Sequence, residues 1–443
     1  MEIKRILIAN RGEIALRALR TIKEMGKEAV VVYSTADKDA LYVRYADVAI
    51  CIGKERSSDS YLNIPAIISA AEISEADAIF PGYGFLSENQ NFVEICSHHK
   101  LKFIGPSVAA MALMSDKSKA KQMMQRAGVP VIPGSDGAVA DTKAAKELAK
   151  QIGYPVILKA AAGGGGRGMR VVECEEDIEK AFWSAESEAM SAFGDGTMYM
   201  EKYILNPRHI EVQIIGDSHG NVLHIGERDC SMQRRHQKLI EESPAILLDD
   251  DTRARLHETA IRAAKAIDYE GAGTFEFLVD KDLNFYFIEM NTRLQVEHCV
   301  SEMVSGLDII ELMIKVAQGE ALPPQESITL KGHAIECRIT AEDPNTFTPS
   351  PGKITKYVCP GGRNVRMDSH IYQDYSIPPY YDSMIGKLIV YDKDRERAIA
   401  KMKVALDELI IGGIKSTRDF HLRMMNNPDF VDNNYDTNYL AKH

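Results

Sequence analysis

Two glutamates thirteen positions apart carry the sharpest chemical signal in this chain. Residues 273–279 and 285–291 both read as strands, and Asp280-Lys281-Asp282-Leu283-Asn284 between them reads as a hairpin turn. If the chain reverses at Asp282-Leu283, Glu276 and Glu289 stand opposite each other, and Asn291, two residues on, shares their face. Like charges across a ladder are destabilising. A hard divalent cation, Mg²⁺ or Mn²⁺, relieves them by taking two carboxylates, an amide and phosphate oxygens. A shifted register would instead send one glutamate to solvent. Directly after this pair, Thr292-Arg293-Leu294-Gln295-Val296-Glu297-His298 alternates. If extended, it points Arg293, Gln295 and Glu297 the same way: a cation, an amide and a base, a set that suits an oxyanion to be held and then deprotonated. An exposed strand face would alternate in the same manner.

A second signal is glycine. Gly163, Gly164, Gly165 and Gly166, followed by Arg167-Gly168, lie between two strand-like runs, with Lys159 just before them. The run after the glycines is a strand, not a helix, which rules out a dinucleotide fingerprint, and no Lys-Ser/Thr pair makes a Walker loop. A glycine flap between antiparallel strands can lay backbone N–H groups over a triphosphate while Lys159 neutralises it. It can also be a plain hairpin loop. Gln233-Arg234-Arg235-His236-Gln237-Lys238 is a basic run in an acidic protein, read either as a solvated face or as the surround of a polyphosphate. His209 alternates with apolar residues and is equally readable as a core histidine, while Arg338, in a strand-like stretch, is read as exposed.

The elements that must position these groups follow from periodicity. Over residues 3–104, strands at 3–9, 28–33, 48–51, 78–80 and 102–104 alternate with helical patterns at 13–25, 64–74 and 88–99, which means a parallel sheet with helices on its faces. Pro81-Gly82-Tyr83-Gly84-Phe85 follows the fourth strand at its carboxyl end, where open α/β sheets bind ligands, though a tight turn would look the same. Residues 115–204 read as a linker and a small α+β module: helices to 127, at 141–152 and at 175–190, and strands at 156–160 and 169–172. Longer strands at 208–216, 221–230, 272–279, 285–291, 333–341 and 386–391, with helices near 252–267, 308–318 and 394–410, predict a larger antiparallel α+β domain over 205–443. The fold class is therefore α/β and α+β, multidomain, with a Rossmann-like parallel sheet over 1–114.

Composition sets the outer limits. The 443 residues are 45% hydrophobic and 26% charged, which excludes disordered, collagen-like and coiled-coil chains. The net charge of −11 argues against a nucleic-acid partner. No apolar run reaches the roughly 18–20 residues of a membrane span, and the N-terminus does not read as a signal peptide, so no membrane and a cytoplasmic location are expected. Seven cysteines without a Cys-x-x-Cys pair read as reduced thiols.

Longer motifs carry a resemblance. The chain holds Ile8-Ala9-Asn10-Arg11-Gly12-Glu13-Ile14-Ala15, Pro81-Gly82-Tyr83-Gly84-Phe85-Leu86-Ser87-Glu88, the glycine loop, Glu227-Arg228-Asp229-Cys230-Ser231-Met232 running into Gln233 to Lys238, Phe287-Ile288-Glu289-Met290-Asn291-Thr292-Arg293, and Ala341-Glu342-Asp343-Pro344. In this order, from about residue 2 to about 440, they resemble the biotin carboxylases of the ATP-grasp superfamily, in particular the separate subunit of bacterial acetyl-CoA carboxylase. The resemblance implies an ATP-grasp fold with 115–204 containing a mobile lid. It implies ATP contacts at Lys117, Lys159, His209, Gln233 and His236, and an adenine pocket at Glu201, Lys202, Ile204 and Leu278. It also implies a metal site at Glu276, Glu289 and Asn291, and a bicarbonate site at Lys238, Arg293, Gln295, Val296 and Glu297. Arg338, Tyr83 and Gly84 fall on the biotin side. Thr437 stands where the family has an apolar side chain against adenine.

The expected reaction runs from bicarbonate and Mg·ATP through carboxyphosphate to carboxybiotin, with Glu297 as base, Lys238 and Arg293 beside it, and Arg338 stabilising the biotin enolate. Lid closure would keep water from the mixed anhydride. Biotin is normally attached at Ala-Met-Lys-Met. The nearest approach here, Ala400-Lys401-Met402-Lys403, sits in a helical pattern, so biotin is expected on a separate biotin carboxyl carrier protein, with carboxyltransferase subunits as further partners. A homodimer is implied by the resemblance alone. The same scaffold opens pyruvate and propionyl-CoA carboxylases, which usually continue into further domains, whereas this sequence ends at His443. Two other readings are an ATP-grasp ligase joining a carboxylate to an amine, and a silent nucleotide-binding regulator.

Overall fold

Five short apolar runs separated by helical patterns do form one parallel sheet. The computed structural model describes residues 2–160 and 168–442; the glycines at 163–166 lie outside them. The chain divides into two compact units, one of residues 1–129, 208–277 and 289–443, the other of 130–207 with 278–288. The smaller unit begins at Pro130.

In the larger unit, β1 (Arg5–Ile8), β2 (Glu28–Ser34), β3 (Val48–Gly53), β4 (Ala78–Phe80) and β5 (Lys102–Phe103) make a sheet of order β3-β2-β1-β4-β5. All neighbours run parallel. Helices on both faces explain why Ile6, Leu7, Ile8, Val30, Val31 and Val32 are all buried rather than alternating. The helices are α1 (Gly12–Glu24), α2 (Leu41–Tyr45), α3 (Ile64–Ile73), α4 (Gln90–His98), α5 (Val108–Ser115) and α6 (Lys117–Arg126). Asn63, Asn89, Ser107 and Asp116 cap α3 to α6 by accepting backbone N–H groups of their first turns, each worth about 1 kcal/mol. The strand order reverses between β1 and β4, the switch point at which such sheets open a crevice. Asn10, just past β1, donates from Nδ2 to the carbonyls of Pro81 (2.7 Å) and Tyr83 (2.8 Å), pinning the glycine turn that follows β4.

The smaller unit holds α7 (Thr142–Ile152), β6 (Val156–Ala160), β7 (Met169–Val172), α8 (Ile178–Phe193) and β8 (Met198–Lys202). β6 is the central strand of an antiparallel sheet of order β7-β6-β8. Val156, Leu158, Phe182 and Met198 form its core. The helix expected from 175 starts three residues later, because Glu175–Asp177 makes a 3-10 turn first.

The remainder of the chain is built on one eight-stranded sheet. Its strands are β9 (Arg208–Gly216), β10 (Val222–Arg234), β11 (Gln237–Ser243), β12 (Gly271–Val279), β13 (Phe285–Asn291), β14 (His333–Thr340), β17 (Val365–Ser369) and β19 (Met384–Asp392), in the order β13-β12-β9-β10-β11-β14-β19-β17. Ribbons pair β15 (Gly352–Lys353) with β18 (Ser376–Ile377), and β16 (Lys356–Val358) with β20 (Ile410–Gly412). Helices α9 (Asp250–Ala266), α10 (His298–Ser305), α11 (Ile309–Gln318), α12 (Arg395–Glu408), α13 (Arg418–Met425), α14 (Pro428–Val431) and α15 (Tyr439–Lys442) complete it. Among the described residues no helix is long and apolar enough to cross a membrane. All seven cysteines are free thiols: Cys96, Cys230, Cys299 and Cys337 are buried, Cys174 is half-buried, and Cys51 and Cys359 are exposed.

Three local expectations are corrected. β11 was not anticipated, because its hairpin with β10 turns on Arg235 (φ 50°) and His236 (φ 65°), left-handed residues that carry none of the Asn-Gly signal of such turns. The alternating segment after Asn291 is not a strand: the chain bends at 292–293 and turns at 296–297, and Glu297 is the residue before α10. The turn between β12 and β13 is a three-residue loop over 281–283, not a reversal at Asp282-Leu283. Asp280 N–H donates to Asn284 O (2.9 Å) and Leu283 N–H to Asp280 O (3.1 Å), with Leu283 at φ 62°.

Ionic links fasten α9 to β10. Glu227 accepts from Arg253 Nε (2.9 Å) and Ala245 N–H (3.1 Å) and meets His257 Nε2 at 2.7 Å. Burial pushes this carboxyl up, but His257 and Arg253 outweigh it and bring it down to about 2. A depressed carboxyl stabilises the fold above its unfolded value and loses that contribution as pH falls towards the folded one. The unfolding free-energy difference between the parent protein and Glu227→Gln, measured in urea, is therefore expected to be full above about pH 4.5 and to shrink as pH falls towards 2.

Candidate active site

Polar residues on the inner strands of the large sheet converge on one ammonium. Lys238, second in β11 and opposite Gln233 of β10, reaches inward. Its Nζ donates to Glu211 Oε2 (2.5 Å), Glu276 Oε1 (2.9 Å) and Glu297 Oε1 (2.7 Å). The basic run thus divides: Lys238 is 12% exposed, whereas Arg235 and His236 sit exposed at the hairpin tip and Arg234 stacks over Phe347. Gln233 is buried in the ladder.

Of the three acids around Lys238, Glu276 has the most partners. Besides Lys238 it accepts from Asn291 Nδ2 (2.8 Å) and Gln295 Nε2 (2.8 Å), and His209 Nε2 lies 2.9 Å from its Oε2, an ion-pair distance off the hydrogen-bond angle. Asn291 therefore stands with Glu276 despite the different hairpin turn. Glu289 is the exposed member of the set: its carboxylate, 41% exposed, lies 3.9 Å from Lys117 Nζ. Two carboxylates and an amide oxygen are hard donors of the kind that Mg²⁺ or Mn²⁺ takes. Much of the charge that the sequence seemed to leave to a metal is met within the protein by Lys238.

Glu297 is fully buried and held from both sides. Lys238 takes Oε1, and Arg338 Nη2 donates to Oε2 at 2.9 Å. Burial alone would raise this carboxyl, but Lys238, Arg338 and Arg228 together hold it well below the usual carboxylate range. Arg338 is not exposed as expected. Its Nε also donates to Glu241 Oε1 (2.5 Å), its side chain is 17% exposed, and it bridges two buried acids. Glu241 is pushed up to about 7, chiefly by burial, with Glu297 adding to the rise and Arg338 opposing it.

The turn before α10 brings its polar groups together in a different way from a strand. Gln295 reaches Glu276, and Arg293 Nη2 donates to Asn291 Oδ1 (3.0 Å) while its Nε donates to Glu88 Oε2 (3.0 Å). Glu88 Oε1 also accepts from the Thr292 N–H and hydroxyl, both at 3.1 Å, so the acid of the Pro81–Glu88 motif sets the start of this turn. Tyr83 is half-buried, and Gly84 (φ 68°) is exposed with open space at its Cβ position. Thr437 lies half-buried in the turn before α15.

In the smaller unit, Lys159 Nζ donates to Glu201 Oε2 (2.6 Å), and Lys202 Nζ to the carbonyls of Gly153 (3.0 Å) and Tyr154 (2.8 Å). Ile204 is buried and Leu278 half-buried.

Sequence reasoning passed over Glu211, Arg228, Glu241 and Glu88. Arg228 is fully buried and donates to Glu211 Oε1 (2.5 Å), Gln213 Oε1 (2.8 Å), Ser301 Oγ (3.0 Å) and Thr274 Oγ1 (3.2 Å). The available signal was charged residues at inward positions of otherwise apolar strands, which need partners once buried.

Family models match in sequence: "Biotin carboxylase, N-terminal domain" over residues 2–111, "Carbamoyl-phosphate synthase L chain, ATP binding domain" over 116–325, and "Biotin carboxylase C-terminal domain" over 336–442. The biotin carboxylase of Nostoc sp. is 56% identical over 444 residues, covering 100% of this chain and 99% of its own. A crystal structure of the biotin carboxylase of Campylobacter jejuni in a β,γ-ATP complex is 83% identical with a TM-score of 0.93, covering 100% and 99% of the two chains. The biotin carboxylase domain dimer of Hydrogenobacter thermophilus 2-oxoglutarate carboxylase, holding MgADP, ADP and bicarbonate, is 48% identical with a TM-score of 0.90, covering 100% and 98%. From its N-terminal sheet to its last helix, then, the chain belongs to the biotin carboxylase family of ATP-grasp ligases.

Proposed function

We propose that this chain carboxylates biotin with bicarbonate, using ATP and passing through carboxyphosphate to carboxybiotin, ADP and phosphate, with the side chains around Lys238 performing the chemistry. The observation that carries this reading is that Lys238 and Arg338 grip the two oxygens of one buried acid, Glu297, while Lys238 also touches Glu276. The nucleotide side, the base and the biotin side are thus joined in a single chain of contacts.

In this reading Arg293, Gln295 and the Val296 backbone hold bicarbonate, and Glu297 takes its proton. An arriving anion draws Lys238 and Arg338 partly away from Glu297, which raises the affinity of Glu297 for a proton towards that of a working base. The bicarbonate oxygen attacks the γ-phosphorus, and ADP leaves. Carboxyphosphate parts into CO2 and phosphate, the phosphate removes the ureido proton, and N1′ captures the CO2 while Arg338 faces the ring oxyanion and Tyr83 and Gly84 line the biotin side. Glu276, Glu289 and Asn291 would hold a divalent cation, which when bound supplies charge neutralisation to the triphosphate. Lys117, His209, Gln233 and His236 are assigned to ATP, as are Lys159 and the glycines 163–166, with Glu201, Lys202, Ile204 and Leu278 around adenine.

Biotin in this reading arrives on a separate carrier protein. Lys401 of the Ala-Lys-Met-Lys segment supports this: it lies within α12, donating to Tyr391 O (2.8 Å) and pairing with Asp392 (2.9 Å), and Met402 beside it is buried. A homodimer working with the carboxyltransferase subunits of an acetyl-CoA carboxylase, at the first step of fatty acid synthesis, completes the assignment. The test is ADP and phosphate release with free biotin. Release is expected to require bicarbonate and to yield carboxybiotin, whereas release driven by an amino acid and a second carboxylate would place the chain among the amide-forming ligases.

A further inference from the structure

The Asn10-Arg11-Gly12-Glu13 turn takes no part in the chemistry above, yet Glu13 is 3% exposed and neither of its carboxylate oxygens has a hydrogen-bond partner within the protein. A buried acid in that condition needs a cation nearby. The cation is Lys387 of β19, itself 0% exposed, with Nζ 3.4 Å from Glu13 Oε1. Lys387 makes one strong hydrogen bond, from Nζ to the backbone carbonyl of Val296 at 2.8 Å. Val296 immediately precedes Glu297. In the sheet, Lys387 stands directly opposite Arg338 on one side and Asp368 on the other, and its ammonium lies 5.9 Å from the ring centre of Tyr83.

We propose that Lys387 is a positioning residue for bicarbonate, with Glu13 as its counter-charge. The proposal rests on the reading that the 293–297 turn binds that substrate. The turn has no strand ladder to fix it: Glu88 holds its start, Gln295 is tied to Glu276, and Lys387 holds the peptide between Val296 and Glu297. Because a lysine in the interior of a sheet strand has little freedom to move, this carbonyl is set by the sheet that also carries Arg338. Glu13 shares with Glu336 and Asp368 the part of keeping Lys387 an ammonium there, while burial pushes the Glu13 carboxyl itself up to about 7. The first turn of α1 is thereby connected to the base through two side chains.

Lys387→Met is expected to raise the KM for bicarbonate about tenfold or more, since a displaced reacting group costs up to about 100-fold in rate, with the KM for ATP unchanged. The double variant Glu13→Gln/Lys387→Met removes both buried charges, which protects folding, and is expected to show the same bicarbonate defect. Glu13→Gln alone, which keeps the Lys387–Val296 bond, is expected to show a smaller one. A merely structural role would lower activity in proportion to folded protein without moving one KM and sparing the other. An unchanged bicarbonate KM in both Lys387 variants, alongside a raised one in Arg293→Ala, overturns the role of Lys387 alone. An unchanged bicarbonate KM in Arg293→Ala overturns the reading of the turn on which that role stands.

Discussion

Glu297→Gln is expected to lose bicarbonate-dependent ADP release by roughly 10²- to 10⁴-fold, the range for removal of a general base, while nucleotide binding persists. The substitution keeps the shape of a fully buried side chain and one acceptor oxygen, so Lys238 or Arg338 retains a partner there, and the other contacts of both cations are untouched. What is lost is the ability to accept a proton from bicarbonate. Steady-state turnover with free biotin, set beside calorimetric titration of ADP, separates the two effects. Turnover within a few-fold of the parent protein would remove Glu297 from the proton-transfer step.

The largest stability effect is expected at Arg228. Its guanidinium is fully buried and holds four side chains from two strands and α10, Glu211 foremost. Arg228→Met leaves Glu211 with Lys238 as its remaining cation and strands the oxygens of Gln213, Ser301 and Thr274. Breaking a buried pair from one side costs about 3–5 kcal/mol, far beyond the fraction of a kcal/mol expected for exposed Arg235→Ala. Urea unfolding of the larger unit, followed by exchange of amides in β9 and β10, should show the loss, and equal midpoints for the two variants would refute it. Lys238 is too closely engaged with Glu211 for activity to survive intact.

Much of this organisation is legible in the sequence because it rests on local rules. The first five strands and their helices fall within a few residues of their expected bounds, since a doubly covered parallel sheet writes continuous apolar runs. Likewise Gly273 to Asn291 could be read as a hairpin, and Glu276 and Asn291 do meet, but the reversal at Asp282-Leu283 on which the pairing of Glu276 with Glu289 rested is replaced by the loop over 281–283. What is not legible is anything decided by long-range pairing. The turn at Arg235-His236 is left-handed at two ordinary residues, so a basic run concealed both a strand and the inward reach of Lys238. Residues 292–297 alternate like a strand but turn, because Glu88, more than two hundred positions earlier, takes the Thr292 N–H. Arg338 looked like a surface residue because the acids that bury it, Glu241 and Glu297, come from other elements.

The distribution of the seven thiols has a practical consequence. With no disulfide to report on, Cys51 and Cys359 should react at once with a maleimide, whereas Cys96 in α4, Cys230 and Cys337 in the large sheet and Cys299 in α10 are sealed. The native chain is therefore its own set of clocks. Pulse alkylation and mass spectrometry, with no engineered label, would time how often each layer breathes, and would tell whether the neighbourhood of Glu297 opens separately from the rest.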